Sequence, residues 1–228
     1  MIKPDKSDTA CTGVILAGGL NTRFSGKNKA LIRFGDRRVI DHIYAVFRSV
    51  FDELILVTNQ PAAYIGLDLT IVTDIFPVRS SLTGIHAGLF YARTPFIFVT
   101  ACDTPFLSKE MVETVVSRIH PADAVVIPET ENGTEQLCAA YSKTCLPAME
   151  RQIKAKKFQI KKMFNKLRVR KIPETVLRKV DPHLMSFFNI NSAEDYSEAR
   201  TWIEENRFYS SRRGPEKATR GITTGEDA

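Results

Sequence analysis

Short apolar runs alternate with longer amphipathic stretches along most of this chain. The short runs are rich in Val, Ile and Phe and have the length of strands, whereas the longer stretches repeat apolar residues at helical spacing. This alternation predicts a parallel sheet flanked by helices. In the first half we expect strands over residues 12–17, 53–59, 69–74 and 96–101, and helices over residues 39–51, 82–91 and 109–120.

The second half continues the same alternation with shorter elements. The expected strands cover residues 124–128, residues 135–141 and the region of Val169, and the expected helices cover residues 146–153, 159–165 and 193–205. Residues 12–205 therefore form one predicted domain. Residues 1–11 are predicted to be a flexible N-terminus, and residues 206–228, which lack apolar periodicity, a disordered basic tail.

Composition narrows the class of protein. Hydrophobic residues make up 43% of the 228 residues, which is enough for one substantial core. No apolar stretch approaches the roughly 20 residues that span a bilayer, and the first dozen residues lack the apolar region of a signal peptide, so we expect a cytoplasmic protein with no membrane partner. The 4 cysteines and 4 histidines are scattered and indicate neither a zinc site nor a disulfide framework.

Positive charge is concentrated in one segment. The formal net charge is +6, and Glu174 is the single acid among the many Lys and Arg residues of positions 151–179. Only Phe158 and Phe164 are interleaved with these cations and no nucleic-acid-binding module accompanies them, so no nucleic acid partner is expected. The segment is either a solvated face, part of a site for an acidic ligand, or a face for an acidic partner protein.

The most informative segment follows the first predicted strand. An apolar run ends in Gly18 and Gly19, and the cations Arg23, Lys27 and Lys29 follow. Glycines allow backbone N–H groups to approach an anion, so this segment predicts a phosphate-binding loop and a nucleotide ligand. Its spacing fits neither the dinucleotide fingerprint G-x-G-x-x-G nor the P-loop G-x-x-x-x-G-K-[ST].

Polar residues or glycine also follow the next predicted strands. Gly18, Asn59, Asp74 and Asp103 each stand at or just beyond a strand end, where open α/β sheets bind their ligands. Magnesium takes one or two carboxylates together with phosphates and water. Asp103, which follows a strongly apolar strand, is the first candidate for a metal ligand. For Asp74 taken alone, a role in a turn or a helix cap stays an equal alternative.

These motifs resemble those of nucleotidyltransferases with a Rossmann-like (GT-A-like) fold, and most closely the molybdenum cofactor guanylyltransferase (MobA) family. The resemblance continues in order along residues 12–205, at residues 57–59, Asp74, residues 81–89, residues 101–106 and residues 188–192. It implies a three-layer α/β fold with a mostly parallel central sheet. It further implies transfer of GMP from GTP to molybdopterin with release of pyrophosphate, Mg²⁺ as the metal, and carrier or target proteins of the cofactor as further partners.

The resemblance also implies roles for individual residues. Asp103 is the expected metal ligand, Asp74 belongs to the nucleotide site, and Arg23 and Lys29 are expected on the β- and γ-phosphates, so that Arg23, Lys29 and Asp103 form the catalytic set. The remaining candidates are Leu16, Ala17, Gly18, Gly19 and Asn59 for the nucleotide, and Asn189 and Asn191 for the acceptor side. Asn191 and Ser192 could instead cap the last helix.

Two positions depart from the family pattern. Asn28 stands where many relatives carry Asp before the lysine, and this loses an acid that could orient Lys29. Ser81 stands where many carry Pro. The alternatives that stay open are transfer from CTP, a sugar-phosphate acceptor, and a regulatory module that binds nucleotide without turnover, although the retained Lys29, Asp74 and Asp103 argue against the module.

Overall fold

The computed structural model describes residues 9–18, 28–34 and 37–212, without the side chains of residues 34 and 204–212. Its strands are β1 (Cys11–Leu16), β2 (Arg33–Phe34), β3 (Arg37–Arg38), β4 (Leu54–Val57), β5 (Thr70–Val72), β6 (Phe96–Ala101), β7 (Val125–Thr130), β8 (Gly133–Thr134), β9 (Cys138–Ser142) and β10 (Val169–Pro173). Its α-helices are α1 (Val39–Arg48), α2 (Ser81–Tyr91), α3 (Lys109–Val116), α4 (Leu146–Lys154), α5 (Glu174–Leu177) and α6 (Ala193–Arg212).

The strands form one large mixed sheet and one small hairpin. The eight-stranded sheet has the order β10-β7-β9-β6-β1-β4-β5, with β8 paired to β7, and β2 pairs with β3. β1 runs parallel to both β4 and β6, and β5 runs parallel to β4, whereas β9 runs antiparallel to β6 and β7. The predicted mostly parallel sheet is confirmed. The chain passes from β1 to β4 and β5 on one side and returns to β6 on the other, so strand order reverses between β1 and β6.

Alternate residues of the central strands belong to two separate hydrophobic cores. Ile15 and Phe98 pack on one face of the sheet with α1 and α3, and Val14 and Ile97 pack on the opposite face with α2 and α4. This follows from the period of two residues in a strand, which directs neighbouring side chains to opposite faces. Both faces are therefore covered by helices, and the predicted three-layer α/β architecture is confirmed.

Helix α2 lies unusually close to β1. A Cβ on Gly88 would stand 2.8 Å from Cγ1 of Val14, and one on Gly84 would stand 3.2 Å from Cδ2 of Leu16. The two glycines therefore permit the approach of α2 to β1. The helix begins at the end of β1, where the Oγ of Ser80 accepts a hydrogen bond of 3.1 Å from the Thr83 N–H. The start of α2 thus lies beside the carboxyl ends of the central strands.

Most predicted elements are present, with corrections at their ends and in short segments. Helix α1 ends at Arg48 and α3 at Val116, earlier than predicted, and residues 160–166 form a 3₁₀ helix. Helix α6 continues beyond residue 205 to Arg212, so the boundary of the predicted tail moves, and residues 213–228 lie outside the described part. Sequence reasoning did not predict the β2–β3 hairpin, β8 or α5. Within the described residues, no helix is both long and apolar enough to span a membrane.

Candidate functional site

A cavity of about 480 Å³ opens at the carboxyl edge of the sheet, around the point where strand order reverses. It is lined by Leu16, Gly18, Val57, Asp74, Arg79, Ser80, Ser81, Gly84, Ala101, Cys102, Asp103, Leu137, Asn189 and Asn191. The predicted location of the ligand site at the strand ends agrees with this cavity. Of the predicted site residues, Leu16, Gly18, Asp74, Asp103, Asn189 and Asn191 line it directly.

The glycine loop is described only in part. Gly18 lines the cavity, whereas Gly19 and Arg23 lie outside the described residues. The described chain resumes at Asn28, and Lys29 begins a short 3₁₀ helix that ends at Leu31.

A residue near the C-terminal end of the domain holds the side chain of Lys29 at the cavity. Its Nζ donates a hydrogen bond of 3.0 Å to Oδ1 of Asn191, which itself lines the cavity. The charge of Lys29 also acts on Asp103, whose pKa it lowers against the opposing effect of burial. Lys29, Asn191 and Asp103 therefore share one electrostatic environment although they are far apart in sequence.

Asn28 has a structural role. Its Oδ1 accepts a hydrogen bond of 3.1 Å from the Ala30 N–H, and its Nδ2 donates to Oη of the buried Tyr64 at 2.9 Å and to Oε1 of Gln60 at 3.2 Å. The amide thus fixes the segment that carries Lys29 to the segment after β4. In this chain Lys29 is oriented through Asn191, without an acid at position 28.

Asp103 is a mostly buried carboxylate that borders the cavity. Its Oδ1 is buried and has no hydrogen-bond partner among the described residues. Burial raises the pKa of this carboxyl, and the positive charge of Lys29 opposes that rise. The backbone is fixed by the N–H of Ile190, which donates to the Asp103 carbonyl at 2.9 Å. An unpaired buried carboxylate is costly, and a cation or proton donor in the cavity would relieve the cost.

Asp74 presents a second carboxylate to the cavity, and Asn59 holds it there. Nδ2 of Asn59 donates a hydrogen bond of 2.9 Å to Oδ2 of Asp74, while Oδ1 of Asp74 is buried without a partner in the described part of the chain. Asn59 also lies beside the loop, since its Nδ2 is 3.6 Å from the position of a Cβ on Gly18. Asn59 is thus a positioning residue for Asp74, and the carboxylate faces the cavity with one oxygen free.

Leu16 and Ala17, both expected to bind the nucleotide, differ in their access to the cavity. Leu16 lines the cavity, but Ala17 is buried and its backbone groups are already engaged. The Ala17 N–H donates to the Val57 carbonyl at 2.8 Å, and its carbonyl accepts from Oγ1 of Thr58 at 3.1 Å. The Ala17 N–H is therefore not free to bind a base, and the nucleotide-binding role expected for Ala17 stays a prediction.

The two asparagines of the C-terminal motif both reach the cavity. Asn189 and Asn191 are exposed and line it, while Ile190 between them is buried in the core. Ser192 caps helix α6, because its Oγ accepts a hydrogen bond of 3.2 Å from the Asp195 N–H. Ser192 is therefore the residue that caps the helix, whereas the side chain of Asn191 binds Lys29.

Several lining residues were not predicted as site residues. Arg79, Ser80 and Gly84 belong to the start of α2, and Leu137 precedes β9. The run of residues 81–89 was the available signal for the helix start, whereas nothing local in the sequence marks Leu137. Cys102 also lines the cavity, but burial and the neighbouring negative charge raise its pKa to about 12, so it is a neutral thiol rather than a nucleophile.

The cavity offers hard oxygen ligands to a metal. Among the described residues no group of three or more His, Cys, Asp or Glu side chains could hold a metal ion by itself. Two carboxylates with free buried oxygens, Asp74 and Asp103, do line one cavity. Mg²⁺ takes oxygen ligands of this kind and usually completes its coordination with substrate phosphates and water, so the carboxylate of Asp103 fits this ion.

The basic segment lies away from these residues. No residue of positions 151–179 is among those that line the cavity. Part of its charge is neutralised internally, because Arg168 and Arg170 both pair with the buried Asp123, at 3.0 and 2.5 Å. The segment therefore does not line this cavity, although Arg178 lines a second depression of the structure, and the alternatives of a site for an acidic ligand and a face for an acidic partner protein stay predictions.

Comparison with known proteins identifies the family of the chain. A sequence model of the MobA-like NTP transferase domain matches residues 13–171. The chain belongs to the MobA-like NTP transferase family. A molybdenum cofactor guanylyltransferase from Desulfosudis oleivorans is 44% identical over 198 residues, which cover 87% of this chain and 98% of that protein.

Two solved structures share the fold of this family member. The crystal structure of molybdopterin-guanine dinucleotide biosynthesis protein A from Archaeoglobus fulgidus superposes with a TM-score of 0.74 at 24% identity, covering 85% of this chain and 99% of that one. A Mycobacterium tuberculosis protein solved in complex with manganese has a TM-score of 0.60 at 18% identity, covering 84% of this chain and 98% of the other. At these identities the likeness concerns the fold.

Proposed function

We propose that this chain transfers GMP from GTP to molybdopterin and releases pyrophosphate. The observation that carries the proposal is the convergence of Lys29, Asp74 and Asp103 at one cavity beside the reversal of strand order. Membership of the MobA-like NTP transferase family and the relative named molybdenum cofactor guanylyltransferase support the nucleotide and the acceptor.

The reaction is a substitution at the α-phosphorus of GTP. An oxygen of the acceptor phosphate forms the new bond to that phosphorus, the bond to the bridging oxygen of the β-phosphate breaks, and pyrophosphate leaves with the electron pair. The main obstacle is the repulsion between two highly charged phosphate groups. Catalysis of this type depends on positioning and on electrostatic stabilisation. No covalent intermediate with the protein is required, which agrees with the neutral thiol at Cys102.

Lys29 is the described cation that we assign to the triphosphate. Its hydrogen bond to Asn191 holds the ammonium group at the cavity in the absence of substrate, so less side-chain freedom is lost when the phosphates bind. We assign Arg23 and the backbone of Gly19 to the same phosphates on sequence grounds. Arg23 can bind phosphate oxygens through two parallel hydrogen bonds, whereas Lys29 acts as a point charge.

We propose Mg²⁺ as the metal and Asp103 as its protein ligand, with Asp74 in the nucleotide site. The buried Oδ1 of Asp103, which has no hydrogen-bond partner among the described residues, supports the metal assignment. When bound there, the ion would neutralise charge on the α-phosphate and on the leaving pyrophosphate. Asn59 keeps Asp74 in place through its hydrogen bond, and Lys29 favours the ionised form of Asp103.

The two ends of the cavity suggest how the substrates are arranged. Leu16, Val57 and Gly84 form an apolar end beside the start of α2, where we place the guanine. Asn189 and Asn191 form a polar end beyond β6, where we place the acceptor phosphate. The transferred phosphoryl group then lies between them, near Asp103. Carrier or target proteins of the cofactor are predicted as further partners on the basis of the family resemblance alone.

Pyrophosphate release tests the proposal directly. Purified protein is incubated with Mg²⁺, molybdopterin and each of GTP, CTP and ATP, beside the variants Asp103→Asn and Asp68→Asn. Asp68 is an exposed carboxylate that pairs with Arg48, and it serves as the matched control. We expect release with GTP that Asp103→Asn abolishes and Asp68→Asn leaves unchanged. A preference for CTP would indicate a cytidylyltransferase instead. Nucleotide binding without release of pyrophosphate would support the regulatory module.

A further inference from the structure

A second depression, here called the groove, continues along the same edge of the sheet. It has a volume of about 350 Å³ and is lined in part by Glu135, Leu184, Met185, Phe187 and Phe188. The groove adjoins the cavity along the chain in two places. Phe188 of the groove precedes Asn189 of the cavity, and Glu135 of the groove stands two residues before Leu137 of the cavity. The groove and the acceptor end of the cavity are thus formed by neighbouring segments of the chain.

Glu135 is the unusual group of the groove. Its carboxylate is half-buried and makes no hydrogen bond or ion pair with the described residues, while its N–H donates to the Pro128 carbonyl at 3.0 Å. Burial raises the pKa of this carboxyl, and Lys161 opposes the rise without forming an ion pair. The backbone of Glu135 is thus fixed and its carboxylate has no partner among the described residues, so it is available to a ligand with hydrogen-bond donors.

Part of the lining of the groove is apolar, at Leu184, Met185, Phe187 and Phe188, and this part is held in shape. Leu184 has a left-handed backbone conformation, with φ of 54°. The buried carboxylate of Asp181 accepts hydrogen bonds from the N–H groups of Met185 and Ser186, at 3.1 and 2.7 Å. The ring of Phe188 is braced edge-on by Phe106, with ring centroids 5.8 Å apart. A fixed apolar surface and an unpaired carboxylate in the same groove suit a flat heterocycle that carries donors on one edge.

Resting on the proposed function, we propose that the groove binds the pterin ring of the acceptor and that Glu135 accepts hydrogen bonds from its 2-amino group and N3–H. These two donors lie side by side on one edge of a pterin, and the two oxygens of a carboxylate match them in parallel. The apolar wall of Leu184, Met185 and Phe187 receives the face of the ring. The phosphate of the acceptor extends past Asn189 into the cavity.

The test compares two ligands that differ in a single group. The fluorescence of 6-hydroxymethylpterin and of 6-hydroxymethyllumazine, which carries an oxo group in place of the 2-amino group, is titrated with protein without nucleotide. We expect the wild-type protein to prefer the pterin by about tenfold or more, as for a hydrogen bond to a charged group. The variant Glu135→Gln should lose or reverse this preference, because Gln offers one donor and one acceptor, which match the lumazine edge.

Glu131→Gln is the matched control, since Glu131 is an exposed carboxylate that lines the same groove. It should retain the preference for the pterin, and thermal denaturation should show all three proteins folded. Equal binding of the two rings by the wild-type protein, a preference that survives in Glu135→Gln, or binding of neither ring would overturn the proposal. Because the titration contains no nucleotide, its failure is distinguishable from a failure of pyrophosphate release.

Discussion

Replacing Lys29 with Met and Asn191 with Ala, singly and together, measures whether the contact between them serves catalysis. Lys29→Met removes a charge that we assign to the triphosphate, and loss of one such donor typically lowers kcat by about 10²–10³-fold. Asn191→Ala removes the acceptor of the 3.0 Å hydrogen bond. Hydrogen bonds to charged groups contribute about 1.5–3 kcal/mol. Because Asn191 is exposed, we reduce this to about 1 kcal/mol, or about fivefold in kcat/KM.

The double variant decides the question. If Asn191 acts through Lys29, removing it costs little once Lys29 is gone, so the double variant should be about as active as Lys29→Met alone. The assay is steady-state pyrophosphate release with GTP and molybdopterin. Asn189→Ala is the control, since its Nδ2 donates to the Phe187 carbonyl rather than receiving Lys29, and its loss should combine independently with Lys29→Met. Losses for Lys29→Met and Asn191→Ala that simply multiply would refute the reasoning.

Three further predictions concern packing, buried charge and reactivity. Gly88→Ala should lower the free energy of unfolding by about 1–2 kcal/mol in urea denaturation, because the new Cβ would stand 2.8 Å from Val14, whereas Gly66→Ala, with open space around it, should change little. Asp103→Asn should stabilise the metal-free protein at neutral pH, since burial raises the pKa of Asp103 in the folded state and so makes its ionised form unfavourable there. This gain should disappear below the ordinary aspartate pKa of about 3.9, where the wild-type carboxyl is also neutral, and a gain independent of pH would contradict it. Cys102→Ala should keep pyrophosphate release within about twofold, and Cys102 should resist iodoacetamide at pH 8 because its pKa is about 12. Rapid alkylation with loss of activity would contradict that view.

The segment from Asn191 to Asp195 makes both local contacts, which fix its backbone, and a distant contact through a side chain. The Asp195 carboxylate accepts hydrogen bonds from the N–H groups of Asn191 and Ser192, at 2.7 and 2.9 Å, and this fixes the start of α6. The side chain of Asn191 is then free to reach Lys29, which is 162 positions earlier in the chain. A cap of the last helix thereby also sets the position of the cation at the first loop.

The local sequence pattern was sufficient to predict those elements whose stabilising interactions join residues close in sequence. The apolar run before Gly18 and the run before Asp103 predicted β1 and β6, because a buried strand needs continuous apolar residues. The cap at Ser108 was also predictable, since its Oγ accepts from the Met111 N–H at 3.1 Å within the same turn. Helix ends were less predictable because Val50 and Phe51 continue the apolar pattern beyond Arg48, where α1 has already ended.

The sequence by itself determined the layered fold, the position of the site at the strand ends and its chemical character through Lys29, Asp74 and Asp103. Tertiary structure alone decided the contact of Lys29 with Asn191, the hold of Asn59 on Asp74 and the engagement of the Ala17 backbone. The physical reason is the separation in sequence over which each kind of interaction acts. Hydrophobic periodicity and turn chemistry act between near neighbours, whereas the free oxygen of a buried carboxylate depends on which distant segments the packed sheet brings beside it.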